Sequence, residues 1–171
     1  MRWRRRLDAV YDTAGYVAAV FMVGTLTFVL IGISARLFHF HVPGTDAYAG
    51  YCMAAAGFLA LAHTFRRGEH IRVTLFLDRL PPGSKQALER VALGIGTLLA
   101  ALFAFYSVRL AWQSWEFNDV STGNDATPLW LPQLAMAAGT LVLLLALVDE
   151  SVAHWRGQRR APPGDAPLHN E

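Results

Sequence analysis

Charge in this chain is confined to blocks, and that confinement limits what it can fold into. No Asp, Glu, Lys or Arg occurs from Thr13 to Ala35, from Ala47 to Phe65, from Val91 to Val108 or from Ala126 to Val148, which are runs of 23, 19, 18 and 23 residues. A helix needs about 20 apolar residues to cross a hydrocarbon core about 30 Å thick. Leu88 at one end, and Leu110 and Ala111 at the other, lengthen the shortest run, with Arg109 snorkelling to the interface. The runs are about twice the length of a barrel strand and show no sustained alternation. Charged residues make up 16% of the sequence, against about 25% in soluble domains. The expected fold is an all-α membrane protein with four transmembrane helices, over about 11–35, 47–65, 88–111 and 127–148. These form one transmembrane domain over 1–155, followed by a disordered tail over 156–171 rich in proline, glycine and charge.

The basic residues set an expected orientation. Alternate connections lie on one side, and that bookkeeping puts 13 of the 15 Lys and Arg on the side of the two termini, with only Arg36 and Arg109 opposite. The positive-inside rule makes the basic side cytoplasmic. Trp3 and Trp155 then fall at the cytoplasmic edge, and Trp112, Trp115 and Trp130 at the outer edge, where amphipathic rings prefer the headgroup level. The first run is longer than a signal-peptide core and lacks a clear small-residue cleavage site, so Arg4-Arg5-Arg6 reads as a topology anchor. Basic residues beside apolar spans point to anionic lipid and not to nucleic acid.

Between the second and third runs the chain reads RRGEHIRVTLFLDRLPPG from Arg66 to Gly83. It is too polar to cross a bilayer and rich in apolar side chains. An interfacial arm over about 68–82, with Ile71, Leu75, Phe76 and Leu80 toward lipid or protein, and an ordinary basic loop are equally compatible with this pattern. Ser84 is expected to cap the following helix, and Pro128 and Pro132 suit the start of the last one. The outer connection carrying Glu116, Asp119 and Asp125 reads by default as a solvated loop.

The span centres lack the ionisable groups that ion-coupled carriers place there. No central proline breaks a span. The single cysteine, Cys52, excludes an internal disulfide and a Cys-x-x-Cys site, and reads as a small buried apolar residue. No paired nucleophile and base, phosphate loop or metal-spaced cluster occurs, so no catalytic or cofactor-binding residue is assigned. His39 and His41 lie on one side and His63 and His70 on the other, which does not suit a bis-His haem needing ligands at similar depth on facing helices. Small residues in the second run, Ala54, Ala55, Ala56, Gly57, Ala60 and Ala62, give faces on which helices pack closely. A four-helix chain with packable faces and no machinery of its own reads as a subunit.

Two patches carry a family resemblance: Arg67-Gly68-Glu69-His70-Ile71-Arg72-Val73 with the following Leu75 to Pro82, and Ser121-Thr122 with Thr127-Pro128-Leu129-Trp130-Leu131-Pro132-Gln133 and Gly139. In order and spacing the chain resembles the small membrane subunit, DctQ type, of the tripartite ATP-independent periplasmic (TRAP) transporters. Thr74 departs from the acidic residue usual there. The resemblance implies a small permease subunit in the bacterial inner membrane with both termini cytoplasmic. It would brace a large permease subunit for symport of an organic acid, a dicarboxylate or sugar acid, delivered by a periplasmic substrate-binding protein. It implies no enzymatic activity, no cofactor and no nucleic-acid partner. Residues expected to meet lipid or the large subunit are Arg67, Glu69, His70, Arg72, Arg79, Trp130 and Pro132. The competing readings are a membrane anchor of a haem- or quinone-dependent redox complex, an autonomous small transporter, and the small subunit of the tricarboxylate tripartite systems.

Overall fold

The computed structural model describes residues 2–66 and 82–156. The expected arm over 68–82, with Arg67, Glu69, His70, Arg72 and Arg79, lies outside the described residues apart from Pro82, as does the tail from Gly157. Four helices make up almost all of the rest: α1 (Arg2–Leu37), α2 (Thr45–Arg66), α3 (Pro82–Glu116) and α4 (Trp130–Trp155). The only β pairing among the described residues is one bridge between Val120 and Pro128. Helices are the form in which an apolar run satisfies every backbone group within itself. Threonine hydroxyls inside the helices follow the same logic. Thr27 donates to the Val23 carbonyl at 2.8 Å and Thr97 to that of Leu93 at 2.7 Å, which spares the cost of an unpaired polar group.

Helix boundaries differ from the sequence reading at three places. Pro82 opens α3, so Ser84 lies inside the helix instead of capping it; proline at a first helical position gives up an N–H that has no intrahelical partner anyway. Helix α4 begins at Trp130, because Thr127 and Pro128 belong to the bridged connection before it. Pro132 does fall in the first turn. At their loop ends α1 and α3 close in the same way. His39 (φ 56°) and Asn118 (φ 51°) turn left-handed, and the next amides, Phe40 and Asp119, donate back to the Ala35 and Ser114 carbonyls at 3.1 and 2.9 Å. This is the Schellman closure, built here without glycine.

The helices stand in the order α1, α2, α4, α3: α1 packs along α2, α2 along α4, and α4 along α3, with lesser contact between α1 and α4. The connections 38–44 and 117–129 share one end of the molecule, here the loop end; Asp12, His63, Glu89 and His154 lie toward the other.

The packing is inverted relative to a soluble protein. Among the described residues the buried apolar side chains are alanines, except Tyr11 and Leu59, while Leu, Val, Ile and Phe side chains are exposed along α1, α3 and α4. Water-soluble interiors select the opposite, whereas helices associating in lipid select small residues that let backbones approach. On α3 the buried stripe is Ala100, Ala104, Ser107, Ala111 and Ser114. Ala55, Ala56 and Ala62 of α2 are buried as expected of packing residues, but Ala54 and Gly57 are exposed. Helices α1, α3 and α4 are each long and apolar enough to cross a membrane, over Leu7–Leu37, Gln86–Glu116 and Trp130–Trp155. In α2, Tyr48, Gly50, Tyr51, Gly57 and His63 dilute the apolar run.

The tightest approach joins α2 and α4 at Gly139. A Cβ built there would run into the Phe58 carbonyl and lie 2.8 Å from Phe58 Cβ. Backbone cannot yield as a side-chain tip can, so Gly139→Ala is expected to destabilise the protein by about 1–3 kcal/mol through overpacking. Gly94→Ala, with nothing within 4 Å of the added methyl, is expected to leave the melting midpoint in detergent unchanged or raise it. Equal midpoints for the two variants would contradict the close approach.

Candidate functional site

Polar chemistry among the described residues gathers at the two ends. At the loop end, the 117–129 connection is a small folded unit. Ser121 N–H donates to the Thr127 carbonyl at 2.8 Å and Leu129 N–H to that of Asp119 at 2.9 Å, flanking the Val120–Pro128 bridge. Asp125 sits at its turn. Its Oδ1 accepts from Ser121 Oγ at 2.7 Å, and Gly123 N–H in turn donates to Ser121 Oγ at 3.2 Å. Its Oδ2 accepts from Tyr51 Oη of α2 at 3.0 Å. Thr127 Oγ1 donates to Tyr48 Oη across a long 3.4 Å. Tyr48 and Tyr51, three positions apart and so neighbours on one helix face, stack edge to face at 6.2 Å, and Tyr48 leans on Phe28 of α1 at 5.4 Å.

Hydrogen bonding, that from Ser121 above all, holds the Asp125 carboxyl well below the ordinary aspartate value, at about 2, against an opposing effect of desolvation. The solvated loop expected here is therefore an ordered knot around a carboxylate. The α1–α2 turn meets it closely: Gly44 (φ 79°) has no room for a side chain, since a Cβ would lie 2.7 Å from Asp125 Cβ. Arg36 and Asp46 close the same turn at 3.0 Å, both largely exposed, an ion pair worth about 0–1 kcal/mol.

Beside the knot, α3 and α4 enclose an open apolar groove of about 520 Å³, walled by Trp112, Trp115, Trp130 and Leu134 over a floor that includes Ala111 and Ala138. Trp130, singled out from sequence, thus joins Trp112 and Trp115, whose rings meet edge to face at 5.4 Å.

At the opposite end, His63 Nδ1 lies 3.6 Å from Asp12 and its ring packs on Gly15. His154 Nε2 lies 3.2 Å from Glu89, Thr97 and Ser151 hydroxyls pair at 3.1 Å, and the Arg90 guanidinium lies 5.9 Å from the Trp155 ring centroid. Each helical hairpin is thus clasped by a carboxylate and a histidine. No group of three or more His, Cys, Asp or Glu that would hold a metal occurs among the described residues.

Sequence reasoning missed Asp125, Tyr51, Tyr48 and Gly44 as one cluster. The available signal was the aspartate flanked by Ser121 and Thr127, but its α2 partner is 74 residues away.

Alanine inside, leucine outside and helices of membrane-spanning length define a multi-pass integral membrane protein. Within that class the chain belongs to the DctQ family: the family described as tripartite ATP-independent periplasmic transporters, DctQ component, matches residues 25–157. The match begins midway through α1, runs through all the other helices, and takes in both patches that carried the resemblance. No individual curated protein matches the chain significantly. The family is a transporter component and not an enzyme family, and it does not favour a redox anchor.

The depressed Asp125 pKa has a signed consequence. A carboxylate stabilised in the folded state contributes stability that is present above its unfolded value, near 3.8, and is lost as pH falls toward about 2. The midpoint gap between wild type and Asp125→Asn is expected to be widest at neutral pH and to narrow as pH is lowered from 5 to 3. A gap independent of pH in that window would remove the carboxylate from the account.

Proposed function

We propose that this chain is the small permease subunit of a TRAP transporter, binding the large permease subunit in the bacterial inner membrane and bracing it during ion-gradient-driven uptake of an organic acid. A periplasmic binding protein delivers the substrate, a dicarboxylate or sugar acid. Membership in the DctQ family carries the reading, and the packing supports it. Four helices set largely side by side leave broad apolar faces uncovered, and such faces in a membrane serve lipid or another helix. Helix α2 offers one rich in small residues. Gly50, Met53, Ala54 and Gly57 share one exposed side, with open space beyond both glycines, a surface that lets a partner backbone come close.

In this reading α2 is the fourth span. Its 22 residues cover about 33 Å, and flanking α1 and α4 shield most of it from lipid, so it needs less hydropathy than its neighbours. The positive-inside excess places both termini in the cytoplasm and the Asp125 knot in the periplasm. The 68–82 segment is the interfacial arm, with Arg67, Arg72 and Arg79 meeting lipid phosphate or the large subunit and Glu69 and His70 beside them. Trp130 and Pro132 fix the outer end of α4 at the headgroup level.

Affinity purification of the tagged chain from native membranes in mild detergent is expected to recover a polytopic permease subunit in near-equal amount. Reversing Arg67 and Arg72 to Glu is expected to reduce that recovery, or uptake, while the chain still reaches the membrane. Purification alone, or with a soluble oxidoreductase, would sink the assignment.

A further inference from the structure

We propose that Asp125 is a pin that fixes the relative orientation of the α1–α2 and α3–α4 hairpins at the loop end, so that the 38–44 turn and the 117–129 connection behave as one rigid unit. The two carboxylate oxygens divide the work: Oδ1 closes the connection on itself through Ser121, and Oδ2 reaches out of it to Tyr51 on α2. The connection is rigid in its own right, held by the Val120–Pro128 bridge and the backbone bonds beside it. A rigid piece fastened to another body at one charged acceptor transmits orientation through that point, and hydrogen bonds to a carboxylate are stronger than neutral ones.

The pin is placed at the edge of the α2–α4 seam, where α3 has few ties of its own to α2. Helix α3 has broad contact with α4 alone, and a second described link from α3 to α2 is the Phe58–Phe103 ring pair at 5.8 Å. Gly44 lets the α1–α2 turn seat directly against Asp125, and Phe28, Tyr48 and Tyr51 carry the contact back to α1. Without the bond from Tyr51, the 117–129 connection would keep its internal fold but be left with only the long 3.4 Å bond from Thr127 to Tyr48 as a hydrogen bond to α2 among the described residues.

The test uses the full chain in lipid nanodiscs with Cys52→Ser and pairs of spin labels. One pair replaces Phe38 and Phe117, exposed by 72% and 70% on the two connections. A reference pair replaces Val20 of α1 and Leu98 of α3, exposed by 70% and 61%. Both pairs should give single narrow distance distributions with Asp125 and Tyr51 present. Asp125→Ala, and in lesser degree Tyr51→Phe, should cost the 38–117 pair its single distance and leave the 20–98 pair unchanged. An unaltered 38–117 distribution in both variants would overturn the pin. So would equal broadening of both pairs, which would make Asp125 a contributor to general stability. Tyr51→Phe removes one hydroxyl and nothing from the connection itself, so it decides the matter if Asp125→Ala does not fold.

Discussion

In hydrocarbon no hydrophobic force draws one helix to another, since lipid tails are as apolar as leucine. Whatever holds membrane helices together must come from close van der Waals contact and a few polar bonds, and most features of this structure follow. Alanine lines the seams because a methyl fills the gap without holding backbones apart. Gly15 gives way to the His63 ring, and Gly139 lets α4 reach the α2 main chain. The larger apolar side chains turn outward, where dispersion contacts with lipid cost nothing to maintain.

Polar bonds then add what packing lacks, which is direction. They sit mainly near the helix ends, at the Asp12–His63 and Glu89–His154 contacts on one side and the Asp125 knot on the other. Near an interface a carboxylate keeps part of its hydration, so it need not bear the full cost of burial. The Thr97–Ser151 pair is the step inward along α3 and α4, and it uses neutral hydroxyls. Charge thus gives way, with distance from the ends, to a mixture of neutral hydroxyls and alanine.

This gradient explains which parts of the fold were legible in the sequence. Helix number and approximate place follow from the absence of charge, a one-dimensional property: the first three helices contain the expected runs, and the fourth contains its run from Trp130 on. The ends were harder. His39 and Asn118 take the left-handed position usually marked by glycine, so nothing local announces that α1 and α3 stop there. Pro128 looked like a helix start and instead pairs with Val120, because a cross-chain bridge competes with the helix for the same residues. The Asp125 knot was least legible. Its acceptor and its α2 donor lie on different hairpins, which the packing of α2 against α4 brings together. The small residues of α2 were visible, but their division into a buried side and an exposed side required the neighbours to be placed.

That division bears on what such a chain is for. A protein that moves charge through a membrane must hold an ionisable or well-coordinated site at depth, whereas here the charge-free middle of each run keeps its hydrogen-bonding groups for helix and neighbour. The chain presents apolar faces, one of them including Gly50, Ala54 and Gly57, and two hairpins joined along α2 and α4. Shape acts on a partner only if it resists deformation. The α2–α4 contact at Gly139 and the pinned connection oppose relative movement of the two hairpins at different depths, while the Asp12–His63 and Glu89–His154 clasps hold each hairpin together. Stiffness is thus distributed along the length of the bundle, with the carboxylate contacts kept near the helix ends.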